Sequence, residues 1–508
     1  MGVFIVRRII ISVFTLLAAT FVVYALVANA GDPLAPLYQI PDQNRQDLAV
    51  AARTELLNLD ESFFTRYLGW LTAASGCVVG ACDLGQSITQ QEVTTLTLQA
   101  MGSTLRLVTA ATVVAILFGV TIGIVSALRQ YTGFDYVVTF FAFLFFSLPI
   151  FWVAVLLKEF GAIRVNDWLD DPAIPTTVIV ALTVLAALAW QAILGGSRRR
   201  RLVVGLVAAA ATAAVLVYLS EARWFARPAL GPVLVVLISL GWALGVTFLL
   251  AGLRNRAVLF SAVAASAAAL VGSIVLAPVL SDPSWLVIGA CVLGLVVIGV
   301  LAGYALGGLD RPLAIRAAVT SGLLAGLTVF TDYVLVAFAG YSRRVSGVVV
   351  KTIGSGTPNF EGTFWEVFLD RGLSLVLPTT ALILISFATY VRYTRASMLE
   401  VLNMDYVRTA RAKGLTERTV TVRHAFRNAL IPVTTLAAFD FGAVIGGAVI
   451  TETVFGWSGM GDLFRTGLQT RDPNSVMAFF LVTGILVVVF NLIADIAYAY
   501  LDPRIRLA

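Results

Sequence analysis

Apolar runs long enough to cross a membrane recur along the 508-residue chain and constrain its fold more than any other feature. About 20 consecutive apolar residues in a helix span the roughly 30 Å hydrocarbon core of a bilayer. Hydrophobic residues make up 59% of the chain and charged residues only 13%, which excludes a water-soluble globular fold. Because backbone polar groups must be satisfied internally in lipid, we predict an all-α, polytopic membrane protein.

The length and composition of these runs predict about twelve membrane spans. The first follows Arg7-Arg8 and precedes no small-residue cleavage site, so we interpret it as a retained span rather than a signal peptide. The predicted spans lie near residues 9–28, 105–127, 137–157, 175–194, 202–219, 230–252, 257–280, 285–307, 317–339, 373–391, 433–451 and 479–500.

Basic residues gather in alternate loops between the predicted spans, as the positive-inside rule expects of cytoplasmic loops. This pattern predicts a multi-pass protein of the cell (plasma or inner) membrane with its N- and C-termini in the cytoplasm. One predicted outer loop, with Arg343, Arg344 and Lys351, opposes the assignment. We therefore attribute the net charge of +6 to the orientation of the spans in the membrane. We predict contact with membrane lipid and none with nucleic acid. The residues placed in the cytoplasm are Arg7, Arg8, Arg129, 198–201, Arg254, Arg256, Arg311, Arg316, the segment 392–427, Arg504 and Arg506.

The first predicted outer loop, residues 29–104, is too polar to span a membrane. It contains Gly31-Asp32-Pro33 and two closely spaced cysteines, Cys77 and Cys82. Disulfides form in oxidising compartments outside the cytoplasm, so the two cysteines are a possible disulfide. A pair of free thiols is an equal alternative.

A polar, basic island interrupts the apolar pattern at Asp405-Tyr-Val-Arg-Thr-Ala-Arg-Ala-Lys-Gly-Leu415 and continues from His424 to Pro432. It predicts a short helix with small side chains, a glycine that stops the helix at positive φ, and a proline near the start of the next apolar helix. We interpret it as a docking site for a cytoplasmic motor protein, and an ordinary basic loop is the alternative. The candidate coupling residues are Asp405, Tyr406, Arg408, Thr409, Ala410, Arg411, Ala412, Lys413, Gly414 and Leu415.

Acidic residues in or beside apolar runs are candidates for a translocation path, because ionisable groups are expensive in lipid. Asp440 lies within the predicted span 433–451 and is expected to face a subunit interface or a wet path. Glu452 lies at the outer end of that span, and we interpret it chiefly as a solvated interfacial carboxylate. Asp332 is interpreted as an interfacial hydrogen-bonding group, and Asp495 as the partner of a nearby basic residue.

The sequence lacks the residues that nucleotide hydrolysis or metal chemistry requires. No Gly-x4-Gly-Lys-[Ser/Thr] phosphate loop occurs, so this chain is not expected to hydrolyse ATP. His424 is the only histidine, which leaves no convincing His-based metal site or Ser-His pair, and we interpret it as structural. We predict a non-enzymatic subunit with no metal, no catalytic residue and no cofactor of its own.

Several motifs, taken in their order along the chain, resemble one family of transporters. The basic island, Val454-Phe-Gly-Trp-Ser-Gly-Met-Gly461 and the ending Leu501-Asp-Pro-Arg-Ile-Arg506 are similar to the B-type permease subunit of dipeptide/oligopeptide ABC importers. The resemblance covers about residues 1–165 and 358–508. Further shared motifs are Arg7-Arg8, Gly31-Asp32-Pro33, Asp83-Leu-Gly85 with Ser87, Ser147-Leu-Pro149 with Phe151-Trp152, and Arg395-Ala-Ser-Met-Leu399.

The resemblance implies a type I importer core of six spans divided by an insertion. Residues 1–165 form the N-terminal half of the core, with three spans and the outer loop 29–104. Residues 166–357 form an inserted accessory region of about six spans. Residues 358–508 form the C-terminal half, which carries the coupling loop 396–432. An even number of inserted spans keeps the second half of the core in its expected orientation.

The resemblance also implies a function, namely import of dipeptides or oligopeptides driven by separate ATPase subunits. The implied partners are a second related permease, two ATPase subunits that bind ATP and Mg, and an extracytoplasmic substrate-binding protein or lipoprotein. In such importers a short cytoplasmic helix with an "EAA" signature docks on the ATPase and precedes a glycine, here Gly414. Arg408 stands at the acidic position of the signature, whereas Asp405-Tyr406 and 410–414 fit the peptide-permease version.

The implied docking gives different tasks to the residues of the island. Ala410 and Ala412 are expected to permit close helix packing. Arg408, Arg411 and Lys413 are expected to pair with acidic residues of the partner.

Two functions of other classes remain as alternatives. A twelve-span secondary transporter agrees with the number of predicted spans, but such proteins commonly show internal repeats and broken helices with charged residues near the bilayer midplane. In this chain the polar signals lie in one cytoplasmic loop and two outer loops. A non-transporting membrane scaffold is favoured only by the featureless inserted region.

Overall fold

The computed structural model describes the backbone of residues 2–501, and within that range the side chains except those of 2–5, 78–79, 435, 438–439, 441–447, 494–495 and 497–501. The predicted all-α, polytopic fold is confirmed. Its α-helices are α1 Gly2–Asn29, α2 Gln43–Leu56, α3 Phe63–Ser75, α4 Val93–Leu128, α5 Gly133–Ser147, α6 Ile150–Lys158, α7 Arg164–Asp170, α8 Thr176–Leu194, α9 Arg198–Glu221, α10 Gly231–Leu250, α11 Arg256–Val275, α12 Ala277–Leu280, α13 Trp285–Leu306, α14 Arg311–Arg344, α15 Phe364–Leu402, α16 Asp405–Ala412, α17 Glu417–Thr419, α18 Arg427–Phe455, α19 Met460–Thr470 and α20 Pro473–Leu501.

Short helices of other types complete the described part of the chain. The 3₁₀ segments are Leu37–Gln39, Gly76–Val79, Trp224–Ala226 and Gly308–Asp310. Two π-helical segments, Glu159–Ile163 and Val420–Phe426, follow α6 and precede α18.

Ten helices among the described residues are long and apolar enough to cross a membrane, or up to eleven if one bent pair is a single span. The predicted span 433–451 lies within α18, where many side chains are outside the described set. The same holds for the side chain of Asp495. Of the C-terminal motif 501–506, only the backbone of Leu501 is described, so Arg504 and Arg506 lie outside the described residues.

The prediction of one continuous helix at 137–157 is wrong, because the chain bends within that range. Two helices, Gly133–Ser147 and Ile150–Asp170, meet there at an angle of 102°. Pro149 explains the break, because a proline lacks the N–H that would continue the hydrogen-bond ladder and disfavours helical geometry in the residue before it. Leu148 accordingly has the extended torsions φ −84° and ψ 130°.

The chain forms two compact units. The first comprises Met1–Gly161, Thr352–Ser355 and Leu375–Ala508, and the second comprises Ala162–Lys351 and Gly356–Ser374. The unit limits lie within a few residues of the predicted 165/166 limit, whereas the return to the first unit falls inside α15, beyond the predicted 357/358 limit.

The core of the first unit is a series of apolar clusters along its long helices. One cluster lies where α1, α3 and the start of α20 meet, a second lies among α4, α15 and α18, and a third lies beneath α16. The first contains Tyr24, Tyr67, Trp70, Leu84, Val93 and Met477. The second contains Leu107, Val108, Leu382, Ala448 and Trp457. The third contains Ala127, Met398, Val401, Val407, Ala410, Val420, Ala425 and Ala429.

Small side chains hold the second unit together. Ala243 on α10, Ala262 on α11 and Ala314 on α14 are fully buried in one cluster. On α13, a Cβ added at Gly299 would lie 2.7 Å from the Cα of Val319 on α14. Lipid offers no hydrophobic driving force between helices, so close contact of small residues supplies the attraction that associates these helices.

Polar side chains in the second unit have partners near the ends of its helices. Asp332 Oδ1 accepts hydrogen bonds from the backbone N–H groups of Leu230 and Gly231 at 2.8 and 3.2 Å. The carboxylate thus satisfies N–H groups that the start of α10 leaves free. Arg344, in the basic loop that opposes the charge pattern, lies 3.2 Å from Glu366. Its charge is therefore neutralised locally, which weakens its value as a topology signal.

We expect Gly299→Ala to destabilise the second unit by about 1–3 kcal/mol, because the added methyl group overpacks the α13–α14 contact. Gly294→Ala, on the same helix, is the control, since a Cβ at Gly294 meets nothing within 4 Å. Thermal unfolding of both variants in detergent measures the difference. Equal stability of the two variants would contradict the packing described for α13 and α14.

Candidate functional site

The basic island folds as the short helix α16 followed by a glycine-stopped turn. Gly414 has φ +76°, a conformation that favours glycine. Its N–H donates to the carbonyl of Arg411 at 2.9 Å, and the N–H of Leu415 donates to the carbonyl of Ala410 at 3.4 Å. These two bonds form a Schellman motif, which satisfies carbonyls left free at the end of α16. The turn after Gly414 therefore has a defined geometry.

One face of α16 is buried. Val407 is fully buried and Ala410 is 6% exposed, in a cluster with Met398 of α15 and Val420 and Ala425 of the following π-helical segment. These contacts fix α16 against the end of α15 and the segment that leads into α18. Both lie on the predicted cytoplasmic side. A displacement of α16 would therefore have to move α15 and the segment leading into α18.

The other face of α16 is exposed. Arg411 pairs with Glu417 at 3.0 Å within the same loop, while Arg408 lies 3.9 Å from the fully exposed carboxylate of Asp405. Apolar surface is exposed as well, since Tyr406 is 39% and Leu415 41% exposed. Of the ten candidate coupling residues, nine are exposed, namely Asp405, Tyr406, Arg408, Thr409, Arg411, Ala412, Lys413, Gly414 and Leu415.

Ala412 is exposed, so it makes no close helix packing within this chain. Residues three and four apart share a helix face, so the inward face of α16 passes through Val407 and Ala410 and excludes position 412. Val407, which the sequence interpretation missed, lies on the inward face instead.

His424 is partly buried. Its carbonyl accepts a hydrogen bond from Asn428 Nδ2 at 3.1 Å, and Asn428 Nδ2 also donates to the hydroxyl of Tyr406 at 2.8 Å.

A buried ion pair connects α15, about two turns before its end, to α5. Arg395 donates from Nε and one terminal nitrogen to the two oxygens of Asp135 at 2.8 and 2.9 Å. The Asp135 side chain is only 3% exposed, and it also accepts from Ser126 at 2.5 Å and from the N–H of Tyr131 at 3.1 Å. Bidentate pairs of this kind fix geometry as well as charge. The motif beginning at Arg395 thus has a structural explanation that sequence reasoning missed.

The interpretation of Glu452 as a solvated interfacial carboxylate is wrong. Glu452 is fully buried, and it accepts from the hydroxyl of Thr104 at 2.5 Å and from the N–H of Gly461 at 2.6 Å. Thr104 in turn accepts from the N–H of Met460 at 2.8 Å. The carboxylate therefore connects α4, α18 and the loop that leads into α19.

Two of the three glycines of the loop 456–461, Gly459 and Gly461, are explained by this buried carboxylate. Gly456 ends α18 with φ +55°. A Cβ at Gly459 would lie 2.5 Å from the Thr104 hydroxyl oxygen, and one at Gly461 would lie 2.8 Å from a carboxylate oxygen of Glu452. The loop can cover Glu452 because Gly459 and Gly461, which approach the carboxylate, have no side chains. The spacing of glycines in this motif is the signal from which the burial could have been inferred.

Asp440 has a protein partner as well. The hydroxyl of Tyr390, which is fully buried on α15, donates to Asp440 Oδ2 at 3.0 Å. Asp440 itself is partly buried. This bond satisfies one carboxylate oxygen within the first unit, and a role of Asp440 in a translocation path stays a prediction.

The outer loop of the first unit contains a disulfide between Cys77 and Cys82. It closes the short connection after α3. Beyond it, Gly85 N–H donates to Asp83 at 2.8 Å, which shapes the turn of the Asp83-Leu-Gly85 motif.

Comparison with known proteins identifies a family that matches the segment containing α16. Residues 347–507 match the family described as binding-protein-dependent transport system inner membrane component. The matched range includes all ten candidate coupling residues. The resemblance to peptide permeases drawn from the motifs is thereby confirmed.

Three curated relatives illustrate the likeness. The oligopeptide transport system permease protein OppB of Mycobacterium tuberculosis is 43% identical over 155 residues, which cover 30% of this chain and 48% of the relative. The corresponding protein AppB of Bacillus subtilis is 41% identical over 186 residues, or 36% and 58% of the two chains. The dipeptide transport system permease protein DppB of Escherichia coli is 44% identical over 139 residues, or 27% and 41%. The chain thus spans about half the length of the curated relatives it matches.

We expect Arg395→Met to destabilise the first unit by about 3–5 kcal/mol, because it leaves the buried Asp135 carboxylate without its cation. Arg465→Met is the matched control. Arg465 lies 3.0 Å from Asp462, but these two side chains are 42% and 36% exposed, and such pairs contribute at most about 1 kcal/mol. Unfolding of both variants in mixed micelles provides the comparison. Similar losses in the two variants would show that the Asp135–Arg395 pair does not stabilise the unit in the way described.

Proposed function

We propose that this chain is a membrane-spanning permease subunit of an ATP-driven importer of dipeptides or oligopeptides. The observation that carries the proposal is α16, which is anchored through Val407 and Ala410 and presents a basic and partly apolar face outward. Exposed apolar side chains next to guanidinium groups suit a protein partner whose surface carries acidic residues. The names of the relatives support peptides as the cargo.

The proposed mechanism is alternating access driven from the cytoplasm. Closure of two ATPase subunits on ATP pushes α16, and the push reaches the spans because α16 is packed against the end of α15. Ser397 on α15 also donates to the carbonyl of Ala429 on α18 at 3.0 Å. The two spans that flank the coupling loop therefore move with it, and the Asp135–Arg395 pair carries the movement to α5.

The proposed assembly contains a second, related permease, two ATPase subunits and an extracytoplasmic substrate-binding protein or lipoprotein. ATP and Mg bind to the ATPase subunits, and this chain acts as the non-enzymatic transport component. The assembly lies in the plasma or inner membrane, with both termini of this chain in the cytoplasm. Asp440 is a candidate for lining the path, whereas Glu452 supports the outer loop.

Affinity purification of the chain from its native membrane in mild detergent tests the assembly. We expect two ATP-binding subunits, a second permease and an external binding protein to co-purify, as identified by mass spectrometry. Purification of the chain without any ATP-binding protein under several gentle conditions contradicts the proposal and favours a secondary transporter.

We expect Gly414→Pro to abolish ATP-driven uptake while the protein still inserts in the membrane. Proline cannot adopt φ +76°, and it removes the N–H that donates to Arg411, which together cost about 3 kcal/mol or more at the turn. Uptake and ATP hydrolysis in reconstituted vesicles measure the coupling.

The control for this variant is Gly133→Pro in another predicted cytoplasmic loop. Gly133 is the first residue of α5, after the N-cap Thr132, and a proline is well tolerated at that position. Normal uptake is expected for Gly133→Pro. Normal uptake by Gly414→Pro would remove the docking role from α16.

A further inference from the structure

A cavity of ≈ 620 Å³ lies inside the second unit, and we refer to it as the apolar cavity. Its walls are the segment 268–280 of α11 and α12, the segment 286–298 of α13, the segment 323–333 of α14, and Trp365. The helices α11, α13 and α14 are each long and apolar enough to cross a membrane. The wall segments occupy the halves of α11 and α13 that are predicted to lie on the outer side, which places the cavity in the outer leaflet.

The lining of the apolar cavity offers almost nothing to a polar ligand. Among the described residues that line it, none is charged. The hydroxyl of Ser273 donates to the carbonyl of Leu270 at 2.7 Å and is thus already satisfied. The indole Nε1 of Trp365 likewise donates to the carbonyl of Leu280 at 2.8 Å. A buried water needs about two to four polar partners, so the ligand that suits this lining is a hydrocarbon rather than water.

Glycines leave the space of the cavity open. On α13, close contact with α14 occurs at Gly299, where an added Cβ would lie 2.7 Å from the Cα of Val319. Nearer the outer end of α13, a Cβ at Gly294 would meet nothing within 4 Å, and the same is true of Gly272 on α11. Both of these glycines line the cavity. Because an empty space forfeits dispersion contacts along its walls, an occupant that fills it is favoured.

The shape of the cavity suits a hydrocarbon chain rather than a helix of a partner protein. At 1.5 Å per residue its wall segments rise about 15 Å along the helix axes, so a volume of ≈ 620 Å³ corresponds to a mean cross-section of about 40 Å². An α-helix with its side chains is about 10 Å across and needs about 80 Å². An extended hydrocarbon chain is much narrower than a helix and fits within the walls.

Aromatic side chains lie at the outer end of the cavity. Tyr333 and Trp365 line it, with their ring centroids 5.2 Å apart. Trp285, next to the wall residue Leu286, is 63% exposed, and Leu286 itself is 80% exposed. Tyrosine and tryptophan favour the boundary between the hydrocarbon and the headgroups of a bilayer. A lipid whose headgroup stays at this boundary can therefore extend a chain into the cavity.

We propose that the apolar cavity binds one acyl chain of a bilayer phospholipid from the outer leaflet. The chain fills the space beside Gly272 and Gly294 and contacts α11, α13 and α14 together. It thereby completes the packing of the second unit in its outer half. The site is independent of the coupling helix and of the proposed cargo.

Photo-cross-linking of the full chain in phosphatidylglycerol nanodiscs tests the site. Part of the phosphatidylglycerol carries a photo-reactive diazirine in its acyl chain, and mass spectrometry locates the adducts. We expect adducts on Leu295 and Phe330, which line the cavity and are partly buried. Leu249 on α10 is 76% exposed and reports the lipid that only surrounds the protein.

A leucine placed in the cavity should exclude the lipid chain. Gly272→Leu on α11 should abolish the adducts on Leu295 and Phe330, which lie on other helices, while the adducts on Leu249 remain. Gly241→Leu on α10 is the matched control and should change none of them. Gly241 is exposed and lies outside the cavity, and a Cβ there also meets nothing within 4 Å.

A measurement on the unmodified sequence keeps the test decisive if Gly272→Leu does not fold. Cys291 lines the cavity, and the other two cysteines form the disulfide Cys77–Cys82, so a thiol reagent modifies Cys291 alone. Hexadecyl methanethiosulfonate attaches a long hydrocarbon chain to Cys291 and should abolish the lipid adducts on the cavity walls. Methyl methanethiosulfonate is the control, because its single methylthio group leaves most of the cavity free.

Three results would overturn the site. The first is the absence of adducts on Leu295 and Phe330 in the unmodified chain. The second is an equal yield of these adducts after Gly272→Leu and Gly241→Leu, or after the two thiol reagents. The third is cross-linking of a photo-reactive residue at Leu295 to another membrane protein without any lipid adduct, which would assign the cavity to a partner helix.

Discussion

The hydrocarbon interior of a bilayer offers no water to backbone or side-chain polar groups, and both units of this protein are built to satisfy that constraint. The backbone does so by forming helices nearly throughout the described residues. The helices then associate through small residues, such as Gly299 and Ala314 in the second unit. Some polar side chains within the helices, such as Asp135 and Glu452, meet a partner on another element.

Three carboxylates of the first unit show how this constraint also positions loops. Asp135 receives Arg395 and the N–H of Tyr131, and so fixes the turn between α4 and α5. Glu452 receives Thr104 and Gly461, and fixes the loop before α19. Asp472 accepts from the hydroxyl of Ser475 at 2.7 Å at the start of α20. Because an unpaired buried carboxylate is costly, each of these loops has one favoured arrangement.

The sequence predicted the elements that depend on local chemistry. Apolar run length located the helices, and Gly414 after a run of small and basic residues located the end of α16. Three features were not predictable in this way. The apolar run around Pro149 does not show whether the proline breaks the span or only kinks it. The exposure of Ala412 depends on which face of α16 meets α15. The burial of Glu452 depends on a loop that folds back over it, and only the glycines at 459 and 461 hinted at this.

The proposed function depends on contact between the exposed face of α16 and an ATPase. The most direct measurement places a photo-reactive amino acid at Arg408 in membranes that are active in uptake, with the same residue placed at Arg254 in a predicted cytoplasmic loop of the second unit. Both positions are exposed. We expect the residue at 408 to cross-link to an ATP-binding protein with a yield that changes when ATP is added. We expect no such product from the residue at 254. Equal yields at the two positions, or no ATP-binding protein cross-linked at 408, would contradict the proposed contact.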